Sequence, residues 1–434
     1  MLAKLNELKN NAGFRRYFAN TSWLFGEKIL RMGVGLFVGV WVARYLGPEQ
    51  FGLFSYVQSF VGLFAFIATL GLDSIIVREL VQDESRRDVL IGTAFWLKLI
   101  GGFWVLAVIT ITVNFIPNDH ATNLLVFIVT SATIFQCFNV IDFYFQSKVL
   151  GKYIVLANVI SFLLSTIVKI ALILTNAPLI YFAWSVVFDS VILSLGFVYY
   201  YRYTKHQLTS WRWDTEIAKE LLRNSWPLIL SSIAIAIYLK IDQVMIKEMM
   251  SNEAVGQYAA ATRISEAWYF IPVVIASSLF PSIINAKKQS KELYYARLQK
   301  LYDIMVWVAI VIAMPMTLLS NWVVLLLYGG AYRQAGSVLM IHIWAGVFVS
   351  FGVVKGKWLL LENMLTYGMI CTCFGALSNI VLNLLLINKM GIKGSAVATF
   401  VSYGISTFFL AFFYPKDRRS IKMFLKAFII ERRT

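Results

Sequence analysis

Residues 304–328 read Ile-Met-Val-Trp-Val-Ala-Ile-Val-Ile-Ala-Met-Pro-Met-Thr-Leu-Leu-Ser-Asn-Trp-Val-Val-Leu-Leu-Leu-Tyr, a run of 25 positions without one charged side chain. A bilayer hydrocarbon core of ~30 Å takes about 20 helical residues to cross, so this run is long enough to span it. Leu124–Tyr144, Tyr153–Thr175 and Ser395–Tyr414 are apolar blocks of comparable length. The chain as a whole follows the same pattern: 59% of its residues are apolar and 14% charged, against roughly 45–50% and 25% in a soluble globular chain. No strand-like alternation runs through these blocks. In hydrocarbon each backbone group must find its partner inside its own segment, so the blocks are predicted to be helices.

Twelve spans are predicted, near 21–46, 51–72, 89–115, 123–145, 153–175, 179–201, 226–247, 255–282, 303–327, 336–360, 366–387 and 395–414. The basic residues test the count. Alternate connecting segments, starting with 1–20 and ending with 415–434, hold 26 Lys and Arg; the intervening segments hold 3. One missed span would scramble that alternation. The positive-inside rule then places both termini in the cytoplasm. The net charge of +16 is thereby explained by topology, without a nucleic-acid partner. The first apolar run follows the mixed segment 1–20 and is long enough to stay in the membrane, so no cleavable signal is expected. Cys137, Cys371 and Cys373 fall inside predicted helices, and the last two point to different faces, which supports neither a disulfide nor a metal site. The longest inner connection, Arg202–Ser225, is about two dozen residues. No loop can hold a soluble catalytic domain, so the expected activity lies within the bilayer.

The two halves resemble each other. Arg223-Asn224-Ser225-Trp226 opens the seventh span as Asn20-Thr21-Ser22-Trp23 opens the first, and Glu253-Ala254-Val255-Gly256-Gln257-Tyr258 matches Glu49-Gln50-Phe51-Gly52-Leu53-Phe54. Trp23 to Gly52 is 29 residues and Trp226 to Gly256 is 30. Six spans separate the copies, an even number, which predicts a parallel pseudo-two-fold repeat of six-helix lobes. The predicted organisation is an N-terminal lobe at 1–201, an inter-lobe linker at 202–225, a C-terminal lobe at 226–414 and a basic tail at 415–434. Transporters of this build hold substrate between lobes and alternate its access to the two sides.

Ten basic residues fall within predicted spans. Arg44, Lys247, Lys355, Lys357 and Asp142 lie near span ends, where long side chains can snorkel, and Lys98, in the inner half of its span, can do the same. A charge at the bilayer centre costs at least ~2.5–3.5 kcal/mol, so the rest are expected to face a bundle interior or a watery cavity. Lys28, Arg31, Lys98, Lys169, Lys240, Arg263 and Lys355 are the candidate lining of a cationic cavity, suited to an anionic substrate. Glu27, Asp189, Asp242 and Glu266 are candidate ion-coupling carboxylates. Glu27 with Arg31, and Arg263 with Glu266, are spaced to neutralise each other on one helix face. Lys240 and Asp242 point apart. His342 reads as a hydrogen-bonded packing residue. Gly33, Gly35, Gly39, Gly101, Gly102, Pro227, Pro272, Pro281 and Pro315 punctuate the spans, and bending near Pro272 or Pro315 is an expected element of opening and closing.

Several of these segments together resemble a known family. Ala43-Arg44-Tyr45-Leu46-Gly47-Pro48-Glu49-Gln50-Phe51-Gly52, Ser225-Trp226-Pro227-Leu228, Asp242-Gln243-Val244-Met245-Ile246, and Val255-Gly256-Gln257-Tyr258 followed by Pro272 to Pro281 resemble the O-antigen-type polysaccharide flippases. These belong to the multidrug/oligosaccharidyl-lipid/polysaccharide exporter superfamily. The resemblance implies translocation of an undecaprenyl-pyrophosphate-linked oligosaccharide across the bacterial cytoplasmic (inner) membrane, for surface polysaccharide biosynthesis. It also implies coupling to a proton or sodium ion, no other cofactor, contact with membrane lipids, and association with other polysaccharide-assembly proteins. The alternatives are a multidrug or small-solute antiporter of the same superfamily, a peptidoglycan-precursor flippase (a group with fourteen spans), and a membrane-embedded polymerase. The polymerase would need catalytic residues at the outer loops, where Arg333 is the one notable candidate. No Walker-type phosphate loop occurs, so ATP is not the expected drive.

Overall fold

The computed structural model describes residues 12–408, 414–415 and 417–428, with the side chains of 12–21 and 24 outside that description. Residues 1–11, residues 409–413 at the end of the predicted twelfth span, and residues 416 and 429–434 of the predicted basic tail lie outside the described residues. Every regular element among the described residues is helical. Nine of the helices are long and apolar enough to cross a membrane, or ten if the pair Gly330–His342 and Ala345–Leu361, bent by 44°, is one span. This is fewer than the twelve predicted. Phe25–Leu63 counts as one, although its helix breaks at Gly47, and Ile392–Phe408, at 17 residues, ends where the described residues end.

The break at Gly47 has a backbone cause. Helix α1 (Ala12–Leu63) carries φ 70° and ψ 170° there, a conformation that glycine adopts without the Cβ penalty. Pro48 follows, and a proline disfavours helical geometry in the residue before it while fitting the first turn of the helix it begins.

By packing, the chain falls into two compact units, one of residues 1–45 and 57–236, the other of residues 46–56 and 237–434. The first contains most of α1, then α2 (Ala65–Thr69), α3 (Asp73–Gln82), α4 (Arg87–Val113), α5 (His120–Ser131), α6 (Val140–Ser147), α7 (Gly151–Leu174), α8 (Leu179–Tyr203) and the start of α9 (Thr215–Met249). Its core gathers Leu72, Ile76, Ile91, Val140, Phe145 and Tyr201. The segment read as a linker, 202–225, stays with this unit because it is tied to α4: Arg212 donates its backbone N–H to the Asp88 carbonyl at 3.2 Å and Asp214 N–H donates to Thr93 Oγ1 at 3.1 Å.

His206 anchors the same segment. Its Nδ1 lies 3.1 Å from Arg87 Nη1 and its Nε2 2.7 Å from Tyr144 Oη. Guanidinium can only donate, so Nδ1 accepts, and the imidazole is neutral with its hydrogen on Nε2. Burial, and after it the Arg87 charge, hold the imidazole pKa below its ordinary value. A group lowered in this way adds stability above the unfolded value near 6.5, and loses it as pH falls below that value toward the folded one. The thermal midpoint of the wild type is therefore expected to drop between pH 7.5 and pH 5.5 by more than that of His206→Gln. Parallel melting curves of the two proteins at both pH values check this, and equal drops would refute it.

The second unit contains residues 46–56 of α1, the rest of α9, α10 (Asn252–Glu266), α11 (Phe270–Gln289), α12 (Lys291–Tyr328), α13 (Arg333–His342), α14 (Ala345–Leu361), α15 (Leu365–Met390), α16 (Ile392–Phe408) and α17 (Asp417–Ala427). Ser251 and Ser290 cap α10 and α12, accepting from the backbone N–H of Ala254 and Leu293 at 3.2 and 3.1 Å. Pro272 is the third residue of α11, in the first turn where its missing N–H is not needed. The chain turns just before it, at Ala267–Tyr269.

The two copies of the repeated motif meet in this unit. A Cβ at Gly52 would lie 1.7 Å from the Asn252 carbonyl oxygen, and one at Gly256 would lie 2.0 Å from the Pro48 carbonyl oxygen. Each glycine faces the carbonyl four residues ahead of the other, so the contact is reciprocal. Close approach of this kind is open only to glycine.

Lys355 and Asp417 dock α17. The ammonium lies 2.6 Å from Asp417 Oδ2 and donates to the Thr407 carbonyl at 2.9 Å; Tyr367 Oη donates to the same carboxylate at 2.7 Å. Lys355 is 5% exposed and Asp417 0%. Removing one partner of such a pair leaves a buried charge uncompensated, at about 3–5 kcal/mol, whereas an apolar pair of similar volume is tolerated. Lys355→Ala is expected to release α17 to protease, and Lys355→Met with Asp417→Leu to restore its protection. Limited proteolysis followed by mass spectrometry distinguishes these results.

Candidate functional site

Asp242 is set into the middle of the second unit by four helices. It belongs to α9 and is 6% exposed. Tyr258 Oη of α10 donates to Oδ2 at 2.6 Å, Thr399 Oγ1 of α16 donates to the same oxygen, and Asn383 Nδ2 of α15 donates to Oδ1 at 2.7 Å. Asn383 Nδ2 also reaches Asn379 Oδ1 at 3.1 Å, and Asn383 Oδ1 has no hydrogen-bond partner. The sequence places these groups by helical period: Asn379 and Asn383 are one turn apart on α15, as Ser395 and Thr399 are on α16.

No ion pair to Asp242 occurs among the described residues; its recorded partners are neutral hydroxyls and an amide. A carboxylate in an apolar interior carries a desolvation cost that neutral donors only partly offset. A proton on such a carboxyl, or a cation beside it, relieves that cost. Its groups are carboxylate, amide and hydroxyl oxygens, with no thiolate or imidazole among them, which is the donor chemistry of a hard, weakly polarising cation. Groups of three or more His, Cys, Asp or Glu able to hold a transition metal are absent among the described residues.

Around this centre Arg263 lies with its guanidinium 5.0 Å over the Phe51 ring, a cation–π contact. The predicted Arg263–Glu266 pair is not formed within 4 Å: Glu266 is exposed, Arg263 half-buried. Lys240 is half-buried. His342 is fully enclosed, with Nδ1 2.8 Å from Ser265 Oγ, in keeping with a packing residue.

In the first unit Glu27 and Arg31 form the helical pair predicted, at 3.2 Å, and Lys28 beside them is exposed. Glu27 is the one charged residue in the wall of a recess of about 640 Å³, lined otherwise by Trp23, Gly26, Leu30, Val155 and Val159 together with Ser22. Asp189 accepts from Ser161 Oγ at 2.9 Å, joining α7 to α8, and Lys169 is half-buried on α7.

Two of the expected cavity cations are placed differently. Lys98 is 1% exposed, 3.1 Å from Asp73 Oδ1 and 4.8 Å from the Phe143 ring centroid. Lys355 is held by Asp417, as described above. Both are paired with acids of their own units, and of those acids Asp417 is buried while the Asp73 side chain is 57% exposed. Their acidic partners lie in segments read as loop and tail, so the sequence alone left the lysines unmatched. Tyr258, Thr399, Asn379 and Asn383 were also missed as site residues. A signal existed in the two asparagines spaced one turn apart in an otherwise apolar span.

A family described as polysaccharide biosynthesis protein matches residues 17–287, more than half of the chain. A Haloferax volcanii protein, described as the probable low-salt glycan biosynthesis flippase Agl15, is 22% identical over 392 residues, covering 88% of this chain and 79% of that protein. The structure of a lipid II flippase, MurJ, in an inward closed conformation superposes with a TM-score of 0.72 at 15% identity, covering 95% of this chain and 91% of that one. An inward-facing multidrug resistance transporter of the MATE family superposes at 0.67 with 17% identity, covering 92% and 93%. At these identities the superpositions establish a shared fold.

Proposed function

Since the chain belongs to the polysaccharide biosynthesis protein family, within the multidrug/oligosaccharidyl-lipid/polysaccharide exporter superfamily, we propose that it is a flippase for a lipid-linked glycan, carrying an undecaprenyl-pyrophosphate-linked oligosaccharide from the cytoplasmic to the outer leaflet. The family match over residues 17–287 carries this reading. The fold is that of membrane transporters, not enzymes. Elementary energetics make the task intelligible: a polar group taken unpaired into hydrocarbon costs roughly 2–7 kcal/mol, so a few sugars need a polar path.

The working arrangement is twelve spans in two six-helix lobes related by a parallel pseudo-two-fold axis, with both termini in the cytoplasm and access alternating between the two sides. The 26-to-3 division of loop cations and the reciprocal Gly52–Gly256 contact support it. Lys28, Arg31, Lys169, Lys240 and Arg263 form the cationic lining for the pyrophosphate. Asp242 is the coupling carboxylate and takes a proton or a sodium ion; Glu27, Asp189 and Glu266 are further carboxylates of the transport path. The Haloferax volcanii protein described as a glycan biosynthesis flippase supports the choice of cargo. The MATE-family likeness keeps one second reading in view, an antiporter for a small anionic solute.

The test is reconstitution. Purified protein in proteoliposomes, given a radiolabelled polyprenyl-pyrophosphate oligosaccharide in one leaflet, is expected to deliver it to the other, with a rate that responds to an imposed sodium or proton gradient. Transport of a small anionic solute with no movement of the lipid would overturn the proposal in favour of the second reading. Lys169→Ala and Lys240→Ala are each expected to slow lipid translocation by about tenfold, which is about 1.4 kcal/mol, without loss of membrane insertion. Normal rates in both would leave the cationic lining without support.

A further inference from the structure

The C-terminal helix α17 divides into three sectors along its length. Asp417, Ser420, Met423, Phe424 and Ala427 are buried, held by Lys355 and by Tyr302 Oη at 2.7 Å from Ser420 Oγ, while Gln299 Nε2 donates to the Met423 carbonyl at 2.7 Å. At 100° per residue, Ile421 and Leu425 fall together in a second sector, and Phe428 follows in the turn that ends the helix. Leu425 is 54% exposed and Phe428 44%. The third sector carries Arg418, Lys422 and Lys426, all exposed, with Arg419 beside them stacked over Tyr295. The helix's one acidic residue, Asp417, is buried against Lys355. The outward surface is therefore apolar along one strip and purely basic along the next.

We propose that α17 is an interfacial helix that selects anionic phospholipid, with Leu425 and Phe428 entering the acyl boundary and Lys422 and Lys426 holding the phosphate headgroups. An apolar strip bordered by cations is the pattern by which a helix lies in the plane of a membrane interface. Charge complementarity names the occupant, because anionic headgroups attract lysines placed at the surface. On the topology read above the segment is beside lipid, since it begins three residues after the end of the predicted twelfth span, 395–414. The bound leaflet is the cytoplasmic one, and that part of the inference rests on the topology proposed above.

The experiment uses full-length protein carrying Leu425→Cys with Cys373→Ser, because Cys373 is the exposed natural cysteine and Cys137 and Cys371 are buried. The new thiol is labelled with bimane and the protein reconstituted in vesicles containing brominated phosphatidylglycerol or brominated phosphatidylcholine at equal fraction. Quenching is expected to report roughly tenfold enrichment of phosphatidylglycerol around the label, falling below about twofold when Lys422→Gln and Lys426→Gln are added. Equal quenching by the two lipids would overturn the proposal. So would a label untouched by brominated lipid and quenched by aqueous iodide, as a helix in water or against a protein partner would give. A membrane-impermeant thiol reagent applied to oriented vesicles reads the side separately. Labelling from the outside would sink the topology reading while leaving lipid selection to stand or fall on the quenching.

Discussion

Asp242→Asn is expected to abolish gradient-driven transport while leaving the protein folded and inserted. The substitution keeps the shape of the side chain and can retain the hydrogen bonds from Tyr258 and Thr399 through its carbonyl oxygen. It removes the negative charge, and with it the affinity for a proton or cation. Replacing a costly buried charge by a hydrogen-bonded amide should hold or raise the thermal midpoint. Transport driven by the coupling gradient should fall by at least about tenfold, a loss of about 1.4 kcal/mol or more in driving interaction. The informative result is the split between the two measurements. If Asp242→Asn transports at the wild-type rate and still responds to the gradient, Asp242 is not the coupling site. Repeating the assay with sodium and with proton gradients separately, in wild type, identifies the ion.

The second large effect concerns the reciprocal glycine contact. Gly52→Ala and Gly256→Ala each add one methyl group, which in a free helix would stabilise by about 1 kcal/mol. Here the added carbon would meet a backbone carbonyl at 1.7 or 2.0 Å. A backbone oxygen cannot rotate away as a side-chain tip can, so the helices must part and surrender their packing. Overpacking of this kind costs about 1–3 kcal/mol and exceeds the propensity gain. Each single variant should therefore melt several degrees below wild type. The double variant should cost clearly less than the sum, because one separation relieves both clashes. Additive losses in thermal unfolding, or no losses at all, would contradict a shared contact.

How far the molecule could be read from its sequence follows from which interactions are local. The run at 304–328 ends with α12 at Tyr328, because an apolar helix stops being useful where the bilayer does. Hydropathy says nothing of the thirteen charged and polar-rich positions by which α12 begins earlier, at Lys291; the Ser290 cap is a local mark of that start. Asp242 stood out as an acid in an apolar span, yet its partners Tyr258, Asn383 and Thr399 lie 16, 141 and 157 residues away. No periodicity connects them. The partners of Lys98 and Lys355 were not legible for the same reason, since Asp73 and Asp417 lie 25 and 62 residues off and looked like ordinary loop charges. Glu27 and Arg31, one helical turn apart, were legible because helix geometry alone brings them together.

The glycine crossing also has a consequence for biosynthesis. Gly52 leaves the ribosome about 200 residues before the backbone it packs against, and at ~5–20 residues per second that interval is roughly 10–40 s. Throughout that wait the segment 46–56 must be tolerated by lipid or by the insertion machinery without its eventual neighbour. A chain severed in the 202–225 loop would separate this segment from the unit it completes, so the two pieces are expected to need co-expression to mature.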